Sequence, residues 1–149
     1  MRIVSVIGDG KVDKESDVYK AACEVGKLVA SKGYVLACGG LFGVMEAAAK
    51  GAKEAGGITV GILPTLEDIS NSYIDIKIPT GMGEARNVIV VSASSGIVVA
   101  VGGNYGTLSE IAHALKMGKR VLGYKTWQVR GVDNYEEVGE LITSLDSII

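Results

Sequence analysis

Ile97-Val98-Val99-Ala100-Val101-Gly102-Gly103-Asn104-Tyr105-Gly106-Thr107-Leu108-Ser109-Glu110 decides the fold. The β-branched run reads as a buried strand. The paired glycines stop it, and Leu108, Ile111, Ala112 and Leu115 then mark one face of a helix expected over about residues 106–117. The same order occurs once before. A strand over residues 34–38 is followed by Gly39-Gly40-Leu41-Phe42-Gly43 and then by an Ala-rich helix that stops at Gly56-Gly57. Both turns have the form Gly-Gly-x-aromatic-Gly, in which the chain leaves a strand sharply and a ligand can approach backbone without a Cβ in the way.

Outward from these turns the alternation continues. Residues 2–7 read as a strand closed by Gly8-Asp9-Gly10, and Val18, Ala21, Ala22, Val25, Leu28 and Val29 give an amphipathic helix over 14–32 that ends near Gly33. A third strand covers 58–63 and is closed by Pro64; Ile74, Ile76 and Ile78 alternate with Asp75 and Lys77 in a fourth that has one wetter face. Two β-branched runs, 88–91 and 97–101, would make a hairpin by propensity alone. The βα alternation on either side argues instead for a helix over about 83–94 and a strand over 97–101. Residues 120–124 form a sixth strand, and a last helix is expected from Asn134, with Asn134 and Glu137 at capping-box spacing and Tyr135, Val138, Leu141, Ile142 and Leu145 buried. The expected architecture is α/β: one domain over 1–149, a doubly wound, mostly parallel sheet of about six strands with helices on both faces.

Composition narrows the function classes. With 149 residues, 48% of them hydrophobic, the chain supports a sizeable core, which excludes disorder and a disulfide-stapled miniprotein. Fifteen Lys and Arg against 17 Asp and Glu leave a net charge of -2, without the basic excess of phosphate-backbone binders, so nucleic acid is disfavoured as a partner. Cys23 and Cys38 lie outside any CxxC or Cys/His cluster and read as reduced and structural. No apolar run is long enough for a membrane span, and a soluble cytoplasmic protein is expected. Asp9, Asp13 and Asp17, spaced by four, read as a solvated loop and helix start, and no metal site is expected. His113, one turn past Glu110, reads as a surface residue.

In such sheets the carboxyl ends of the strands line the ligand crevice, and helix N-termini there present free amides that suit a phosphate. Gly8, Gly39, Gly40, Gly102, Gly103, Asn104, Gly106 and Thr107 fall at that edge. Neither GxGxxG nor a Walker-type loop is present. Thr107 and Glu110 fit a capping box; alternatively Glu110 is a carboxylate one turn into a phosphate-facing helix, placed to meet a cationic transition state or to activate water. In Thr80-Gly81-Met82-Gly83-Glu84-Ala85-Arg86-Asn87, Arg86 is either a phosphate clamp or an exposed helix-start residue paired with Glu84 or another acid. Ala47, Ala48, Gly51, Ala52 and Ala55 allow close helix packing, within or between subunits.

Gly39-Gly40-x-x-Gly-Val-Met, then Thr80-Gly81-Met82 with Ala85-Arg86-Asn87, then Gly102 to Glu110, resemble in order the superfamily once labelled lysine decarboxylase-like, over about residues 2–124. It includes the LONELY GUY phosphoribohydrolases and the molybdenum-cofactor carriers. The resemblance implies a Rossmann-like fold, a homodimer or higher oligomer, and a phosphate cradled by the GGxxGT loop, with Thr80, Gly81 and Asn87 added to the ligand-binding residues. No Lys stands in a motif that would hold pyridoxal phosphate, so decarboxylation is discarded. In the phosphoribohydrolases the Glu of GGxxGTxxE and the Arg of GMxxRK serve cleavage of the N-glycosidic bond of nucleoside 5'-monophosphates. Glu110 matches the first. Arg86 matches the second with departures: three residues separate it from Met82, Asn87 replaces Lys, and Val101 stands where those enzymes have Pro. The expected function is binding of a nucleotide or phosphorylated cofactor, with Glu110 and Arg86 as catalytic residues if the bond is hydrolysed. The alternative is a non-catalytic carrier of a phosphorylated pterin, to whose branch Ala85-Arg86-Asn87 looks closer. No cofactor is required for hydrolysis; a nucleotide, a phosphate or a molybdopterin-type molecule is the ligand. A DNA-handling role, after a recombination mediator of related fold, is disfavoured by the charge.

Overall fold

A computed structural model describes residues 1–149. In chain order the elements are β1 (Ile3–Gly8), α1 (Asp17–Ser31), β2 (Val35–Cys38), α2 (Val44–Glu54), β3 (Thr59–Leu63), β4 (Ile76–Pro79), a 3-10 turn (Gly83–Arg86), α3 (Asn87–Ser92), β5 (Ile97–Val101), α4 (Tyr105–Lys116), β6 (Arg120–Tyr124), β7 (Val132–Tyr135) and α5 (Val138–Asp146). The strands form one sheet in the order β4-β3-β2-β1-β5-β6-β7. Every pairing is parallel. The chain therefore winds outward from β1 in one direction through β2 and in the other from β5 through β6. Such a switch point opens a crevice beyond the carboxyl ends of β1 and β5.

The sheet is buried on both faces. Val4, Val6, Leu36, Val99, Val101 and Leu122 pack in one cluster with α1, α2 and α5. Ile7, Val98, Ala100 and Val121 point the other way, toward Val90 and Val91 of α3 and Ile111 and Ala114 of α4. Successive side chains of β5 thus enter opposite cores, which is why its sequence is a continuous apolar run rather than an alternation. The β-branched segment Val88-Ile89-Val90-Val91 is helical, as the alternation required. The parallel register of β1 with β5, Val4 against Ile97 and Val6 against Val99, demands a crossover and overrides local propensity.

The sheet has seven strands, one more than expected. Residues 132–135 add to the edge of β6, Val121 facing Val132 and Tyr124 facing Tyr135. Asn134 is consequently not a helix cap. Its side chain accepts from Thr126 N at 3.3 Å and donates to Thr126 O at 3.0 Å, and α5 begins at Val138 behind Glu137, without a side-chain cap. Four residues carry too short an alternation to announce a strand, so the free edge of β6 decides their conformation. Tyr135 correspondingly lies on the strand, its hydroxyl bonded to Ser144 Oγ at 2.9 Å. At the other edge β4 is exposed at all four positions, and Ile74 is buried just before it.

The small residues of α2 pack inside the subunit, against α1. A Cβ at Gly26 would fall on the carbonyl oxygen of Ala48, and one at Gly51 on that of Cys23, so each helix gives the other's backbone room. Gly26→Ala is expected to lower stability by about 1–3 kcal/mol, because the obstacle is backbone and the helices must separate. That outweighs the ~1 kcal/mol gain in helix propensity. A urea midpoint equal to or above that of the parent would show that close approach is not what this glycine provides.

Candidate functional site

At the switch point lies a cleft of about 170 Å³, lined among others by Gly8, Gly39, Met45, Arg86, Asn87, Asn104, Gly106, Thr107 and Glu110. Five loops or helix starts converge there. Gly8 ends β1 where a Cβ would strike Val101 O and the Val44 side chain, so glycine lets β1, β5 and α2 meet. Gly39 ends β2 with the vacant Cβ position 2.8 Å from Arg86 Nη2.

The first turn of α4 is built by its cap. Asn104 Oδ1 accepts from Thr107 N at 3.2 Å, and Thr107 Oγ1 accepts from Asn104 N at 3.4 Å. The box is therefore Asn104 with Thr107, not Thr107 with Glu110, because the helix starts at Tyr105 and Thr107 is its third residue. Glu110 is left free of capping. It is 7% exposed and lines the cleft, and no protein donor bonds its carboxyl group. Burial pushes that carboxyl up to about 8; the positive charge of Arg86 acts in the opposite sense, and the negative charge of Glu84 adds to the rise.

Arg86 is buried, at 6% exposure. Nε donates to Ile62 O at 2.8 Å, Nη2 to Gly39 O at 3.5 Å, and Nη1 to Asn87 Oδ1. The reading of an exposed Arg paired with Glu84 is thus overturned: the 3-10 turn points Arg86 inward under the ends of β2 and β3. Glu84 turns instead to Asn87, whose Nδ2 donates to it at 3.3 Å.

Five residues expected at the site lie outside the cleft lining. Gly40 and Gly102 sit at positive φ, +79° and +58°, where they shape the two turns against Leu63 and Val18. Gly103 packs on the Thr107 side chain, and Gly81 on Leu66. The Thr80 hydroxyl donates to Leu63 O at 2.7 Å and accepts from Met82 N at 3.1 Å, which holds the turn leading to Arg86. Asp9 and Asp13 cap local turns at Lys11 N and Glu15 N, and His113 is exposed on α4. No cluster of three His, Cys, Asp or Glu is placed to hold a metal ion. Cys23 and Cys38 are free, and burial pushes the Cys38 thiol up to about 11. No helix is long and apolar enough to cross a membrane.

Sequence reasoning missed Leu41 and Met45, which line the cleft together with Val6 and Ile7, and Trp127, which touches the cleft residue Asn104 from outside. Trp127 Nε1 donates to Asn104 O at 2.9 Å, and its ring stacks on Tyr105 with centroids 5.6 Å apart. It lies 23 residues from its partner, in a loop with no motif, so only the tertiary structure could connect them.

The chain is 56% identical over 122 residues to an uncharacterised protein of Archaeoglobus fulgidus, covering 82% of this chain and 79% of that one. It is 28% identical to a probable cytokinin riboside 5'-monophosphate phosphoribohydrolase of Oryza sativa, over 90% of this chain but only 60% of the rice protein. Among solved structures, the molybdenum cofactor binding protein of Rippkaea orientalis superposes with a TM-score of 0.86 at 37% identity, over 99% of this chain and 96% of that one. The Rossmann-like fold that the resemblance implied is the fold of this chain. The SLOG cluster4 family model matches residues 1–147, and the chain belongs to that family.

Proposed function

We propose that the chain binds a small phosphorylated ligand, a nucleotide or a phosphorylated pterin, with the phosphate on the first turn of α4 and the ring system toward Leu41 and Met45. The observation that carries this reading is the convergence, in one cleft, of the α4 N-terminus with an unpartnered, buried Glu110 and a buried Arg86. One form of this reading is a non-catalytic carrier. The likeness to the Rippkaea orientalis protein spans both chains almost entirely. Burial pushes the Glu110 carboxyl up to about 8, and a bound phosphate would push it further. A neutral acid does not offset an oxocarbenium charge. Hydrolysis of a nucleoside 5'-monophosphate is the second reading, favoured by the presence of Glu110 and Arg86 in the same cleft; there Glu110 would act as acid toward the departing base. Assembly into a homodimer or larger oligomer belongs to the same reading, with Ile76 and Ile78 exposed on the edge strand as available surface.

Trp127 is the single tryptophan and touches the Asn104 cap, so its fluorescence reports on the cleft. Titration with nucleoside 5'-monophosphates is expected to change the emission, while the parent nucleosides leave it unchanged. Free base and ribose 5-phosphate are assayed in the same samples. Binding without release supports the carrier. Release that falls by about 100-fold or more in Glu110→Gln supports the hydrolase. Neither an emission change nor release would remove a nucleotide as the ligand, and the hydrolase with it.

A further inference from the structure

A carboxylate sits beside the first turn of α4. Gly106 is the second residue of that helix, and its vacant Cβ position lies 3.7 Å from Glu84 Oε2, 3.6 Å from Asn87 Nδ2 and 3.3 Å from Asn104 Oδ1. Glu84 reaches this point from the 3-10 turn, in the three-residue stretch between Met82 and Arg86, and is held by the 3.3 Å bond from Asn87 Nδ2. It forms no ion pair within 4.0 Å with any Lys or Arg; its one hydrogen bond comes from Asn87, and the start of α4, with its partial positive charge, lies beside it. The first turn of α4 has no acidic residue of its own. Glu110, nine-tenths buried and unpartnered, lines the same cleft and marks it independently as a place built for a guest.

We propose that Glu84 is a built-in competitor for the anion seat of α4: its carboxylate occupies the place of the ligand's phosphate and must swing out, releasing Asn87, before the phosphate can settle. This rests on the phosphate position proposed above and adds to it a displaceable plug. Glu84 is exposed and lies on a short turn, so its departure disturbs no packed element. The exchange replaces one anion by another at the helix start. The net affinity is thereby held down and release is eased, which suits a protein that must hand its ligand on.

Two variants separate occupation of the seat from mere nearness of charge. Glu84→Gln keeps the length and removes the charge; Glu84→Asp keeps the charge but draws it back by one methylene. Calorimetric titrations with adenosine 5'-monophosphate, inorganic phosphate and adenosine are run on the parent and both variants. Glu84→Gln is expected to bind the two phosphate probes about fivefold more tightly than the parent, the upper end for an exposed charge at a helix start. Glu84→Asp is expected to bind them at least about threefold more tightly, and adenosine should show no change. Phosphate affinities equal in all three proteins, or a gain confined to Glu84→Gln, would overturn the plug while leaving the phosphate site standing. If no protein binds either phosphate probe, the site and the plug fall together.

Discussion

Glu110→Gln is expected to make the free protein more stable at neutral and alkaline pH and to leave it nearly unchanged at pH 4. The carboxyl titrates at about 8 in the fold against an ordinary 4.5, and the largest cause is burial. At pH 4 both the folded and the unfolded chain hold the proton, and nothing is lost. Between 4.5 and 8 the unfolded chain releases a proton that the folded chain keeps, so stability falls as pH rises. The slope approaches about 1.4 kcal/mol per pH unit, which makes the cost about 3 kcal/mol by pH 7. Above 8 the folded chain ionises as well and the loss levels off. Gln carries no such titration, so its unfolding free energy should match the parent's at pH 4 and exceed it increasingly as pH rises toward 8. Urea unfolding at pH 4, 7 and 8.5 reads the difference directly. A parent stability that is flat or rising between pH 4.5 and 8 would mean that Glu110 is solvated and ionised in the fold, and the argument for a carrier would lose its electrostatic half.

Arg86→Met should destabilise the protein by about 3 kcal/mol, a fall in melting temperature of about 10 °C for a chain of this length. The volume is retained, but the buried carbonyls of Ile62 and Gly39 lose their donor, and with it the tie between the ends of β2 and β3. The positive charge that moderates Glu110 also disappears, so the Glu110 carboxyl should titrate above about 8. Arg86→Lys restores the charge without the planar fork and should recover only part of the loss. Because both residues act through one cleft, the double variant Arg86→Met with Glu110→Gln should be more stable than the sum of the singles by about 1 kcal/mol or more at pH 8. A melting temperature within 2–3 °C of the parent, as a rough threshold, would show that the guanidinium stabilises little and is kept for the ligand alone.

Much of this was readable from residues in order. The βα rhythm identified a mostly parallel sheet and even the helical state of the β-branched segment 88–91, since the alternation on either side calls for a helix between two parallel strands. Gly8, Gly39 and Gly106 were placed at the cleft because a glycine at a strand end or helix start means a sharp exit or a close approach. The reading failed where the deciding partner was distant. β7 exists because β6 had an open edge, and Asn134 serves Thr126 rather than a helix start. The cap of α4 was assigned one turn late, since Thr107 and Glu110 have the same spacing as the true pair, Asn104 with Thr107.

Sequence by itself determined the layered α/β architecture and the edge at which a ligand would sit, because periodicity and glycine placement are local properties of the chain. Tertiary structure alone decided the chemistry at that edge. Whether Glu110 is a surface cap or a buried acid, whether Arg86 faces water or ties two strands, and whether Glu84 pairs with it or hangs over α4 all depend on solvent exclusion and on neighbours tens of residues away. Desolvation and charge proximity act through space, and no spacing rule along the chain encodes them.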